Sequence, residues 1–248
     1  MFDNVILPNR ITPSPIDQVV FEIRYNSSFS EKKILSILDS CAAELFTSSP
    51  IESQLINVPL ELREKDPSLK YKPLKIYVKD NVSFSFSSHS LIFQCFNPYP
   101  GWETWYSFIM SIINNLLKIP EFTKIKIERF GLRYFDVLEG NVIENLNLNL
   151  IVANNNLCAE PISFQTELAE SDKKVLLKVN NNISFEFTPG NNKQGTLIDV
   201  DCIKLEKKPF QEIQNATIDF LQDAHKITKK YFFGLLKDNY LKQLNPEY

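Results

Sequence analysis

Two arginines, each followed by a tyrosine, stand in closely similar local sequences: Phe21-Glu22-Ile23-Arg24-Tyr25 and Phe130-Gly131-Leu132-Arg133-Tyr134. A guanidinium is a planar array of donors that matches a carboxylate or phosphate with two prongs, so Arg24 and Arg133 are candidates to grip a small anion. An ion pair or hydrogen bonds across a sheet would use the same groups, and the repetition of the pair favours that structural role. Three acids make a second constellation: Glu186, Asp199 and Asp201 fall on adjacent expected strands. Asp199 and Asp201 lie two apart and so share a sheet face. Such oxygens suit Mg²⁺ and hence nuclease or phosphotransfer chemistry, whereas a salt bridge to Arg133 or a solvated face is the plainer reading. The third constellation is aromatic. Tyr99, Trp102, Trp105 and Tyr106 open a helix beside Pro98 and Pro100. Trp and Tyr dominate interaction hot spots, so this is a candidate partner surface, with core packing as the alternative for the two tryptophans.

Imidazole and thiol chemistry is less well supplied. The histidines are His89, in the turn-like Ser87-Ser88-His89-Ser90, and His225, next to Ala224 on the apolar side of a helix. Adjacency of Ser and His in sequence supplies neither the geometry nor the orienting acid of a nucleophilic site. Cys41, Cys95, Cys158 and Cys202 contain no CxxC pair and read as small buried hydrophobes. There is no Walker loop, GxGxxG, HExxH or GxSxG. No catalytic residue is assigned and no cofactor is expected.

These residues must be positioned by strands and helices that the hydrophobic pattern outlines. Gln18 to Asn26 alternates as a half-buried strand, with Val19, Phe21, Ile23 and Tyr25 on one face. Ser30 stands where it can cap a helix running to about Phe46. Residues 48–68 read as irregular, with one possible strand near Gln54 to Val58. Leu74 to Val78, Ser83 to Phe86 and Leu91 to Phe96 are expected strands, turning at Asp80-Asn81 and Ser87 to Ser90. A helix from Trp102 to about Lys118 follows. In the second half, a strand through Phe130 to Leu138 precedes an Asn-rich segment, 141–156, expected to be helix-like. Strands are then expected at Gln165 to Leu168, Val175 to Val179, Ile183 to Phe187 and Leu197 to Leu205. A long helix after Pro209 and a short helical segment close the chain.

The halves echo one another. Val78-Lys79-Asp80-Asn81-Val82-Ser83-Phe84-Ser85-Phe86 resembles Val179-Asn180-Asn181-Asn182-Ile183-Ser184-Phe185-Glu186-Phe187, with five of the nine positions identical. With the Arg-Tyr strands in the same order, this implies one supersecondary unit used twice. The expected fold is α+β: internally duplicated strand-helix-(three to four strands)-helix units, residues 1–120 and 121–248, in one continuous fold. They form one curved antiparallel sheet covered by helices on one face. In topology alone this resembles the TATA-binding-protein-like or helix-grip class, and no DNA function comes with it.

Composition sets further bounds. The 248 residues are 44% hydrophobic, with nineteen Phe and only six Gly. That supplies a thick core and little material for phosphate-cradling loops. A formal charge of −3 speaks against a protein that lives on phosphate contacts, so nucleic acid is not the expected partner. The start, Met1-Phe2-Asp3-Asn4-Val5, lacks the basic and apolar regions of a signal peptide, and no apolar run is long enough for a membrane helix. A soluble cytoplasmic protein is expected.

Pro15-Ile16-Asp17-Gln18-Val19-Val20-Phe21-Glu22-Ile23-Arg24-Tyr25, Arg129-Phe130-Gly131-Leu132-Arg133-Tyr134, and His225 with Tyr231-Phe232-Phe233 and the ending Leu241 to Pro246 together resemble a sporadically distributed prokaryotic family of about this length that has no assigned function. The resemblance spans nearly the whole chain. Where that family has Glu, this chain has Asp17-Gln18. The family's patchy distribution is similar to that of defence-associated genes, which implies an accessory role in phage defence or a toxin–antitoxin setting. The expectation is therefore a non-catalytic binding or assembly module with a protein partner or a second copy. A small-molecule or nucleotide sensor using Arg24 and Arg133 stands second, and a metal-dependent nuclease or phosphotransferase third.

Overall fold

Burial alternates along the first strand, β1 (Ile16–Asn26). Val19, Phe21, Ile23 and Tyr25 are buried, while Glu22 and Arg24 between them are only partly covered, because successive residues of a strand point to opposite faces. The computed structural model describes residues 7–158, 160–188 and 191–248, with the side chains of 123, 185–188 and 191–193 outside the description. After β1 come α1 (Glu31–Ala43), β2 (Ile51–Glu52), α2 (Leu60–Lys65), α3 (Pro67–Lys70), β3 (Lys75–Lys79), β4 (Val82–Phe86), β5 (Ser90–Phe96) and α4 (Trp102–Leu117). The second half holds β6 (Lys126–Glu139), β7 (Ile151–Val152), β8 (Asn155–Asn156), β9 (Ser163–Glu170), β10 (Lys173–Thr188), β11 (Asn191–Leu205), α5 (Ile213–Leu235) and α6 (Asp238–Gln243).

Nine strands form one open antiparallel sheet in the order β2-β3-β4-β5-β1-β6-β11-β10-β9. The duplication is visible in that order. β3, β4, β5 and β1 on one side answer to β9, β10, β11 and β6 on the other. Two compact units divide the chain: a central one, residues 20–132 and 204–221, and a terminal one, residues 1–19, 133–203 and 222–248. Neither is a continuous stretch of sequence.

In the central unit an aromatic layer joins sheet to helix. Phe220 of α5 stacks on Phe130 at 5.3 Å and on Phe21 at 6.1 Å between centroids, and Phe93 packs tilted against Phe84 at 5.1 Å. All five rings are buried. Each contributes about 1.5–3 kcal/mol relative to exposure, with a further increment from ring geometry. α1 follows Ser30, whose backbone is extended as a cap requires, but whose hydroxyl makes no capping bond. Glu31 occupies the first turn instead, where its charge suits the helix dipole. No helix among the described residues is long and apolar enough to cross a membrane.

Three expected elements differ. The strand expected near Gln54 to Val58 is a 3-10 turn, Gln54–Asn57, begun by Ser53, whose hydroxyl accepts from Leu55 N. α2 and α3 follow it. The Asn-rich 141–156 segment is not helix-like. It holds a short 3-10 turn, Ile143–Asn145, and the β7–β8 hairpin, which turns at Ala153 and Asn154 with φ of 48° and 66°. Asn tolerates this left-handed backbone and is a poor helix former.

The strands expected separately at Val175 to Val179 and Ile183 to Phe187 are one strand, β10. The sequence echo therefore joins unlike structures: Val78–Phe86 spans the β3–β4 hairpin, whereas Val179–Phe187 lies inside β10. Asn181-Asn182, which matches the hairpin turn by sequence, is instead a register irregularity against β11. There the Asn181 amide donates to Glu160 O at 2.8 Å and its oxygen accepts from Ile162 N at 2.7 Å. The true counterpart of the Asp80 turn (φ 53°) is at Ser171 (φ 58°), between β9 and β10.

Candidate functional site

In the central unit, Arg24 projects from β1 away from the core. Its Nε donates to Glu22 Oε2 at 2.9 Å, and its guanidinium lies 4.3 Å over the ring of Tyr71. Arg129 of β6 donates from Nη1 to the same Glu22 oxygen. Gly131 makes room for it, since a Cβ there would stand 3.0 Å from Arg129 Nη2. Arg24 is thus already matched by a carboxylate and an aromatic face. Arg129 escaped the sequence reading. Its signal is an Arg followed two residues later on the same face by a Gly.

A second network of this unit also went unread. Arg63, with a side chain only 6% exposed, sends two prongs to Glu31 at 2.8 and 2.7 Å, while its Nε donates to Val58 O. Ser88 donates to the same carboxylate at 3.0 Å. Hydrogen bonds from Arg63 hold Glu31 below the ordinary carboxylate range against the opposing effect of burial. His89 Nε2 lies 3.4 Å from Glu64 Oε1. The serines around it are structural: Ser87 bonds Ser90 at 2.9 Å, Ser90 donates to Tyr71 O, and Tyr25 donates to Ser87 O.

In the terminal unit, Arg133 makes a two-pronged pair with Asp199, Nε to Oδ1 at 2.7 Å and Nη2 to Oδ2 at 2.6 Å. Its guanidinium also sits 4.3 Å over Phe135. The Asp199 side chain is 3% exposed and that of Arg133 is 33% exposed. Hydrogen bonding to Asp199 raises the Arg133 pKa further against burial, with the charges of Asp199 and Asp201 adding to it. Asp199 lies opposite Lys178 in the β10–β11 ladder and Asp201 opposite Leu176. The structure therefore joins Arg133 to Asp199, as the salt-bridge reading anticipates. It does not bring in Glu186, whose backbone pairs with Asn192, about 23 Å from Asp199 at strand rise. The Glu186 side chain lies outside the described residues. Among the described residues no three His, Cys, Asp or Glu converge as a metal site.

The face carrying Arg133 is open in this unit. On β6 the alternation buries Leu132, Tyr134, Asp136 and Leu138 and leaves Arg133, Phe135 and Val137 half-exposed. On β11 and β10 the same face carries half-exposed Leu197, Asp201, Ile203, Leu176 and Lys178. The corresponding face of the central unit carries half-exposed Glu22, Arg24, Ile92 and Gln94 beside Ser83 and Ser85 of β4, which are 1% and 0% exposed.

Beneath the open face lies an acid the sequence reading passed over. Asp136 shares the core side of β6 with Tyr134 and Leu138 and is 3% exposed. Burial, and secondarily the charge of Asp199, pushes its carboxyl up to about 8. The signal was present, since Asp136 continues the apolar parity of Phe130, Leu132 and Tyr134. Nearby, Tyr134 Oη and His225 Nδ1 are 3.0 Å apart. Burial, helped by the charge of Lys229, lowers His225 to about 4, so its ring is neutral at physiological pH.

The aromatic cluster divides. Trp105 is fully buried and presents no surface. Trp102 and Tyr106 are half-exposed, 5.7 Å apart, with Trp102 packed 6.1 Å from Trp105. Tyr99 is also half-exposed, though its hydroxyl is buried. Cys41, Cys95 and Cys202 are buried, and burial pushes their thiols up to about 12, 11 and 12. The terminal unit also holds an open groove of about 360 Å³ lined by Asn147, Asn149, Asn156, Cys158 and Lys237, among others.

No family model and no curated protein matches this chain.

Proposed function

We propose that the protein is a non-catalytic binding module that holds a protein partner on the open sheet face of its terminal unit. The observation that carries this reading is the makeup of that face. Half-exposed Phe135, Leu176, Leu197 and Ile203 surround the Arg133–Asp199 pair, with Lys178 and Asp201 beside it. Apolar area supplies the drive for association. Charges already locked in a two-pronged pair lose little freedom when a partner covers them. A small anion is the poorer fit: both prongs of Arg133 are taken by a buried carboxylate, and an anion would have to displace it. Arg24 is committed likewise to Glu22 and Tyr71.

The test is affinity capture from the source cells with mass spectrometry, comparing the native chain with Leu176→Lys/Leu197→Lys. Both substitutions lie on the open face, and Leu176→Lys faces Asp201. The expected result is a stoichiometric protein captured by the native chain and lost from the variant, whose circular dichroism is unchanged. Equal capture by both chains, or thermal stabilisation by phosphate or nucleotides that Arg133→Met removes, overturns the proposal.

A further inference from the structure

We propose that β9 pairs antiparallel with β9 of a second copy of this chain, joining two sheets edge to edge about a twofold axis at Thr166. β9 ends the nine-stranded sheet, and among the described residues its only strand partner is β10. It is eight residues long, keeps an unbroken register with β10 from Ser163 to Glu170, and contains neither proline nor glycine. Strands at sheet edges ordinarily carry a proline, a bulge or charged side chains, lysine above all, that block further pairing. β9 has no proline, bulge or lysine, and its two charges are already paired, Glu167 with Lys174 and Glu170 with Lys230 and Tyr231. The opposite edge, β2, is two residues long, too short to offer a comparable template.

The ladder phase says which groups are available. Asn181 N–H donates to Ile162 O, continuing the β9–β10 register by one pair. In an antiparallel ladder, hydrogen-bonded and non-bonded pairs alternate. The even-numbered residues of β9 therefore bond to β10, and the N–H and C=O groups of Ser163, Gln165, Glu167 and Ala169 point outward.

Side chains then select the register. Residues opposite one another must share a face, so the twofold axis passes through a residue. An axis at Glu167 sets two like charges directly opposite, which is destabilising, and axes further along shorten the overlap. An axis at Thr166 places Phe164 opposite Leu168 of the second copy, Thr166 opposite Thr166, Gln165 opposite Glu167, and Ser163 opposite Ala169. Apolar side chains meet on the core side, and an amide meets a carboxylate on the other. Such an interface is self-complementary, as twofold symmetry requires. It also carries the open face of one terminal unit on into that of the next. The inference rests on the edge and not on the proposed function.

The experiment measures solution mass by light scattering and then crosslinks through cysteine. At the axis, Thr166 meets its mate in a non-hydrogen-bonded pair with Cα atoms about 4.5 Å apart, within disulfide range. In a Cys158→Ser background, Thr166→Cys is expected to give a covalent dimer on oxidation, and Glu167→Cys is not. Gln165→Glu, which sets two carboxylate pairs opposite each other, is expected to weaken the dimer about tenfold, and Gln165→Lys to tighten it. Circular dichroism confirms that each variant folds. A monomer at every concentration, or a dimer that Thr166→Cys does not trap, overturns the proposal.

Discussion

Replacing Asp136 by Asn should stabilise the protein at neutral pH and leave it little changed in acid. The carboxyl is buried and its pKa is raised from its ordinary 3.8 to about 8. Between those values the unfolded chain has lost the proton that the folded chain keeps, so stability falls as pH rises through the window and levels off above 8. At about 1.36 kcal/mol per pH unit, the loss reaches roughly 4 kcal/mol at pH 7 and 5–6 kcal/mol in all. His225 works in the opposite sense. Its pKa falls from 6.5 to about 4, so its unfolded form binds the extra proton and stability rises from pH 4 to 6.5, by roughly 3 kcal/mol. In the native chain the two slopes oppose each other up to about pH 6.5, and Asp136 alone then lowers stability toward pH 8. In Asp136→Asn the Asp136 slope is gone, and the histidine slope is no longer opposed by it up to about pH 6.5. Asp17, raised by burial, contributes equally to both proteins and cancels in the difference. Urea denaturation at pH 4.5 and 7.5 reads the effect. The stability difference between the two chains should change by about 4 kcal/mol over those three units in favour of the variant. A change under ~1 kcal/mol would refute the reasoning, because a carboxyl that ionises normally in the fold gives no such slope.

Glu31→Gln removes the charge that meets buried Arg63 and should cost about 3 kcal/mol in urea denaturation, because the guanidinium stays buried without its counter-charge. Gly131→Ala should cost about 1–2 kcal/mol by forcing the Arg129 guanidinium off Glu22. In an Arg129→Ala background it should cost much less, and equal costs in both would show that the close approach does not matter. Thiol labelling of the native protein, followed by intact mass, should give one fast adduct, at half-exposed Cys158, because Cys41, Cys95 and Cys202 are buried with raised pKa values. A second adduct at the same rate would contradict the buried placement.

Local pattern carried much of this fold. The alternation Val19, Phe21, Ile23, Tyr25 and its counterpart Phe130, Leu132, Tyr134 could be read directly, because a strand's period of two leaves its mark on every second residue. The apolar stripe of α4 could be read in the same way from its longer period. Asn-rich 141–156 could not, because asparagine states only what it disfavours. The longest sequence echo misled for a related reason. The short string shared by 78–86 and 179–187 suits a strand edge and a polar kink, and the choice between a hairpin turn and a bulge within β10 belongs to the strands on either side. Of the candidate site, the Arg133–Asp199 partnership was foreseen as a type of contact. Arg129 and Arg63 take their meaning from Glu22 and Glu31, distant in sequence, whereas the burial of Asp136 was legible in the parity of its own strand.

By itself, then, the sequence determined the core-facing side of its strongly alternating strands and the apolar stripes of its longer helices. Both follow from periodicity within a few residues. The tertiary structure alone decided which charges meet. Asp199 of β11 reaches Arg133 of neighbouring β6, and Arg129 of β6 reaches Glu22 of β1. Such pairings depend on strand order and register, which bring together residues that no local pattern connects.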